Sequence, residues 1–114
     1  MNFLARLLIT AISVIIAAYI LPGVWVDSPL DAFIVAAVLA LLNAFLKPLL
    51  IILTIPVTIL TLGLFLLVIN ALMILLASDL VKGFHVSGFW AAFFFSLALS
   101  LIVSLFTSLA KKKE

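Results

Sequence analysis

One histidine, four carboxylates, six basic side chains and no cysteine are all that this 114-residue chain offers for acid–base, nucleophilic or metal chemistry. A metal centre needs several ligands that converge, and a nucleophile needs a base beside it. His85 stands alone in the stretch Gly83-Phe84-His85-Val86-Ser87, and such a histidine is read as an interfacial residue, neither ligand nor catalyst. No Asp, Glu, Lys, Arg or His falls in the middle of a long apolar run. Proton relays and coupled-ion sites place their charges there, so proton-coupled transport is disfavoured. No catalytic residue, cofactor or metal is assigned, and an enzyme is not expected. Without cysteine, a disulfide framework is excluded and the redox compartment stays unread.

The most polar residues inside the apolar runs are Asn70 and Asn43. Interhelical amide bonds in membranes average about 0.6 kcal/mol, so Asn70 is read as structural glue. More conspicuous are two ladders of small residues spaced four apart. One is Ser28, Ala32, Ala36, Ala40 and Ala44; the other is Gly88, Ala92, Ser96, Ser100, Ser104 and Ser108. In lipid no hydrophobic force draws helices together, and small-xxx-small ridges allow the close backbone packing that does. The ladders are therefore expected to pack helices within the chain or between copies. A serine ridge lining a polar path in an assembly is the functional alternative, although serines can return their hydroxyls to the carbonyl four residues back. The first and third runs use a spacing of seven instead, as in Thr10 and Ala17 or Asn70 and Ala77, which suits left-handed packing at roughly +20°.

These residues need elements to carry them, and the composition says which. The chain is 69% hydrophobic and 9% charged, far from the roughly 25% charged of soluble domains, so it is read as one all-α integral membrane domain. Crossing about 30 Å of hydrocarbon takes ~20 helical residues. Four runs qualify, at about residues 3–21, 31–46, 63–80 and 89–110. The first resembles a signal peptide but lacks a small-x-small cleavage site, and is read as a retained helix. Between the second and third runs, Pro48 to Gly63 contains Pro56, Thr54, Thr58 and Thr61. Either the second helix continues to about Thr54, or it ends at Lys47 and residues 48–62 fold as a re-entrant or interfacial hairpin. Continuation would bury Lys47, so the second reading is preferred.

Arg6, Lys47 and the tail Lys111-Lys112-Lys113-Glu114 mark one side of the membrane; Asp27, Asp31, Asp79 and Lys82 mark the other. Cytoplasmic flanks collect Lys and Arg, which puts both termini inside. The tail is read as a stop-transfer flank, with lipid-headgroup contact the weaker alternative, and nucleic acid is not implied. Two corners, Gly23-Val24-Trp25-Val26-Asp27 and Gly83-Phe84-His85-Val86-Ser87, then face outward. Tyr19, Trp25 and Trp90 suit the headgroup level there.

A shift of sixty residues without gaps superimposes Leu4, Ala11, Ala17, Gly23, Val26, Ala32 and Phe33 on Leu64, Ala71, Ala77, Gly83, Val86, Ala92 and Phe93. The helix breaks and the ladders superimpose as well. The fold expected is a four-helix bundle made of a duplicated helix-corner-helix unit. Residues 4–47 and 64–110 form its halves, 48–63 connect them and 111–114 form the tail. Each half has two crossings, so the repeat is parallel.

The segments "AAYILPGVWVD" and "LVKGFHVSGFWAAF", with "NAFLKP", "LTLGLF" and "INALM" between them, resemble the bacterial phage holin family 4, superfamily IV. Thr10, which matches Asn70 in the repeat, stands where relatives often carry Asn. The resemblance implies a small protein of the bacterial inner membrane, and its label implies a lysis pore. The reading preferred is a self-associating structural or interaction protein of the cytoplasmic membrane, with lipid bilayer and further copies as partners and room for an unidentified membrane partner. A holin-like oligomeric pore is the alternative, and a small transporter or lipid-translocating module is least supported.

Overall fold

Helix α1 (Phe3–Ile20) begins where the Asn2 side chain accepts the backbone N–H of Ala5 at 2.8 Å, one of the donors a helix start leaves free. It stops just before Pro22, and Leu21 turns into extended backbone. Strand β1 (Val24–Val26) follows. Helix α2 (Pro29–Leu41) is launched by Ser28, whose hydroxyl accepts the Asp31 N–H, with Pro29 in the first turn. Beyond it lie a π-helical stretch (Leu42–Leu46), α3 (Lys47–Leu53), α4 (Ile55–Leu60), α5 (Phe65–Leu80), β2 (Phe84–Val86) and α6 (Phe89–Lys112). The computed structural model describes residues 2–112, without the Lys112 side chain. Of the basic tail, Lys113 and Glu114 lie outside the described residues.

Among the described residues, three helices are long and apolar enough to cross a membrane: Phe3–Ile20, Pro29–Leu53 and Phe89–Lys111. The fourth apolar helix, Phe65–Leu80, has 16 residues, about 24 Å at 1.5 Å each. The chain is a mostly helical membrane protein.

The expected end of the second helix at Lys47 is overturned: the rod runs on through Lys47 and Pro48 to Leu53. The π-helical stretch explains how. A proline removes one N–H and drives its ring into the carbonyl four residues back, here Ala44. In the wider turn the Lys47 N–H reaches Leu42, five residues back, and the helix absorbs Pro48 without stopping. Lys47 is half-buried there. The break comes at Thr54, where Pro56 restarts the chain as α4 and the Thr54 hydroxyl returns to the Leu50 carbonyl at 2.8 Å. Helix α4 then closes on two nested bonds, Leu62 N–H to the Ile59 carbonyl at 3.1 Å and Gly63 N–H to the Thr58 carbonyl at 2.8 Å. This closure needs left-handed backbone at Leu62 (φ 56°) and Gly63 (φ 90°). The 48–63 connection is therefore a helix end, a short helix and a tight turn.

The two outward corners, read separately from the sequence, are joined. Their β-branched and aromatic residues form two three-residue strands that pair antiparallel, Val24 opposite Val86, Trp25 opposite His85 and Val26 opposite Phe84. Helix α1 packs against α2 and α6, and α5 against α6 and α2. The buried core is one cluster that includes Val14, Ala17, Val35, Ile74, Ala77 and Phe95, with Val24 and Phe84 of the ribbon among its members.

Candidate functional site

The two corners are one structure. Beyond the strand pairing, the Asp27 N–H donates to Gly83 O at 2.9 Å and the Ser87 N–H to Gly23 O at 2.8 Å. His85 Nε2 lies 3.1 Å from Asp27 Oδ1, and the Trp25 and His85 rings stack at 5.3 Å and 21°. Gly23 has φ +85°, and a methyl group there would meet Ser87 and Ala91; at Gly83 it would overlap the Asp31 carboxylate. That carboxylate accepts the Ser28 hydroxyl at 2.8 Å. Gly23, Trp25, Asp27, Gly83 and His85, read from the sequence as two separate outward corners, are thus brought into a single cap. Asp27 and His85 are both substantially exposed, and their contact is a surface hydrogen bond of modest strength. Among the described residues no group of three or more metal-ligating side chains converges.

The ladders divide along their length. Ala32, Ala36, Ala92 and Ser96 are buried, whereas Ala40 is half-buried and Ala44, Ser100, Ser104 and Ser108 are exposed. Where packing is tight, the Ser96 hydroxyl returns to the Phe93 carbonyl at 2.7 Å, and Ser13 and Ser78 do likewise in their helices. No such return is found among the described hydrogen bonds of Ser100, Ser104 and Ser108. Here the helices part around a cleft of about 610 Å³, whose walls carry Arg6 and Thr10 on α1, Ala40, Asn43 and Ala44 on the second rod, and Ser100 and Ser104 on α6.

Asn43 sits in the π-helical stretch on the cleft wall, and Asn70 lies partly buried on α5. Neither side chain makes a hydrogen bond among those described. Two features escaped the sequence. Ser13, fully buried, bonds the Ile9 carbonyl at 2.7 Å; its place among the small residues of the first run was the available signal. A smaller cleft of about 380 Å³ between α1 and α6 is lined by Arg6, Ile9, Thr10, Val103, Thr107 and Lys111. Arg6 and Lys111 each looked like a separate helix flank, and only folding brings them to one cavity.

The model of the family described as "Mycobacterial 4 TMS phage holin, superfamily IV" matches residues 1–105. An uncharacterized protein of Streptomyces coelicolor is 39% identical over 111 residues, covering 89% of each chain. An uncharacterized membrane protein of Bacillus subtilis, YvlD, is 38% identical over 96 residues, covering 83% of this chain and 81% of its own length. No solved structure gives a significant match to the chain.

Proposed function

The chain belongs to the superfamily IV phage holin family of four-span membrane proteins, and from that premise we propose that it is a self-associating structural or interaction protein of the bacterial cytoplasmic membrane, without enzymatic activity. The observation that carries this reading is the exposure of Ala44, Ser100, Ser104 and Ser108. A lipid-facing surface gains nothing from small residues, whereas a helix that must approach another backbone needs them. Bulky residues on α6, Leu101, Leu105 and Leu109, form an exposed stripe along one side of that ridge.

The proposed architecture is a duplicated helix-corner-helix unit forming a four-helix bundle. Its support is the geometry of the cap. Trp25 faces His85, its equivalent under the shift of sixty. The bonds Asp27 to Gly83 and Ser87 to Gly23 exchange under the same shift. So do the contacts of Gly83 with Asp31 and of Gly23 with Ala91. A two-fold axis through the Trp25–His85 pair relates the halves, as for a parallel repeat. Arg6, Lys47 and Lys111 at the opposite end favour cytoplasmic termini.

A second reading, a holin-like pore, draws on the hydroxyls of Ser100, Ser104 and Ser108, which are exposed and not returned to their own helix. Crosslinking of the protein in native membranes tests self-association: Ser100→Leu and Ser104→Leu together are expected to reduce the crosslinked species to monomer. An unchanged ladder of species would overturn the association surface. A membrane-impermeant dye, added during controlled expression, separates the readings. Exclusion of the dye is expected, and rapid entry coupled to growth arrest would favour the pore.

A further inference from the structure

We propose that the cleft between α1 and α6 at the basic end binds one anionic phospholipid, with its phosphate held by Arg6, Thr10, Thr107 and Lys111. Each helix contributes a cation and a hydroxyl four residues apart, Arg6 with Thr10 and Thr107 with Lys111, and this spacing puts both groups on one face. The two pairs meet across a single cavity of about 380 Å³. Guanidinium, ammonium and two hydroxyls supply hydrogen-bond donors, and charge-assisted bonds to phosphate oxygens are among the strongest available. All three described carboxylates, Asp27, Asp31 and Asp79, lie at the opposite end of the molecule and cannot neutralise the site. The hydroxyls of Thr10 and Thr107 make no bond to their own helices among those described, unlike Thr54 and Thr61, which return theirs to carbonyls at 2.8 and 3.0 Å.

The neighbouring cavity distinguishes a lipid from a free anion. Arg6, Thr10 and Val103 also line the cleft of about 610 Å³, which continues past Phe3, Leu7 and Leu39. That volume falls within the roughly 300–1,000 Å³ of small-molecule sites. Hydrogen-bond donors at the mouth, with walls behind them that are mostly apolar but also carry Asn43, Ser100 and Ser104, match a headgroup followed by the glycerol esters and acyl chain. Arg6 lies in the first turn of α1 and Lys111 in the last turn of α6, at the level where helix ends meet headgroups. The phosphate ridge Val103, Thr107 and Lys111 lies beside the ridge Ser100, Ser104 and Ser108 that carries the proposed self-association; Ser100 and Ser104 also line the larger cleft, so lipid retention and oligomer size are measured in the same variants to tell the two readings apart.

Native mass spectrometry of the full chain, released from micelles containing equal phosphatidylglycerol and phosphatidylcholine of matched acyl chains, tests the site. One phosphatidylglycerol is expected to be retained in preference, with Arg6→Gln and Lys111→Gln each lowering the preference about fivefold. Thr10→Val with Thr107→Val, which leaves the charge intact, is expected to weaken retention as well, and Lys47→Gln to leave it unchanged. Crosslinked oligomer size in the Arg6 and Lys111 variants is expected to match the parent. Equal retention of the two lipids would overturn the proposal. So would an effect of Lys47→Gln as large as that of Arg6→Gln, which would mean a diffuse surface potential. Displacement of phosphatidylglycerol by millimolar inorganic phosphate would reassign the site to a free anion and overturn the lipid.

Discussion

The two ends of the molecule solve the same packing problem in opposite ways. At the corner end a two-stranded ribbon ties the halves together, Phe84 and Phe95 meet at 5.6 Å, and the small residues Ala32, Ala36, Ala92 and Ser96 are buried between helices. At the basic end the same ladders continue as Ala44, Ser100 and Ser104, but the helices have parted around the cleft. A small-residue ridge therefore permits close approach without enforcing it. What closes the corner end is the hydrogen-bonded ribbon, whose backbone donors and acceptors must be paired wherever water is scarce. The open end carries cations and exposed hydroxyls, and it is where a ligand or a second copy has room to enter.

Phe84→Ala attacks that contrast most directly. It removes a large, fully buried ring from beneath the ribbon and is expected to cost about 3 kcal/mol, read as easier unfolding in a steric-trapping assay in lipid. If the corner end is the clamp, protection of the Trp25 and His85 amides from exchange should fall with it. Loss of stability with unchanged protection there would locate the clamp elsewhere.

How much of this was legible can be traced to particular residues. The helices at 3–21 and 89–110 are marked by uninterrupted apolar runs between Pro, Gly and charge, and the structure places them at Phe3–Ile20 and Phe89–Lys112. The second rod was misjudged because Lys47-Pro48 carries two stop signals at once, while the π-turn that absorbs them has no composition of its own. The corners were located but not their pairing: Val24-Trp25-Val26 has strand-forming residues, yet three residues are too few to signal a strand, and the partner lies sixty residues away. The basic cleft was invisible for the same reason. Arg6 and Lys111 each have an ordinary local explanation, and only the packing of α1 on α6 brings them together.

A milder perturbation of the cap separates its two polar devices. His85→Ala removes both the ring stacked on Trp25 and the hydrogen bond to Asp27, and is expected to destabilise by about 1 kcal/mol, since both groups are exposed. His85→Phe keeps a ring and loses the bond. If it recovers most of the loss in the same assay, stacking dominates; if it behaves like His85→Ala, the bond to Asp27 does.

An effect no larger is expected at the other end and has the opposite sign. Leu62 occupies the left-handed position that closes α4, with φ 56°, and its side chain is 92% exposed. Left-handed backbone costs an L-residue with a side chain roughly 1–2 kcal/mol, and glycine escapes this penalty. The leucine makes little packing contact within the chain to offset that cost, so Leu62→Gly is expected to stabilise the isolated protein in detergent by about 1 kcal/mol. In a bilayer the balance changes, because an exposed leucine in a chain that is uncharged from Pro48 to Ser78 gains by entering hydrocarbon. A gain in stability that appears in detergent and vanishes in lipid would place the tip of this turn within the membrane. An equal gain in both would place it in water and make the strain at Leu62 a simple defect of the basic end.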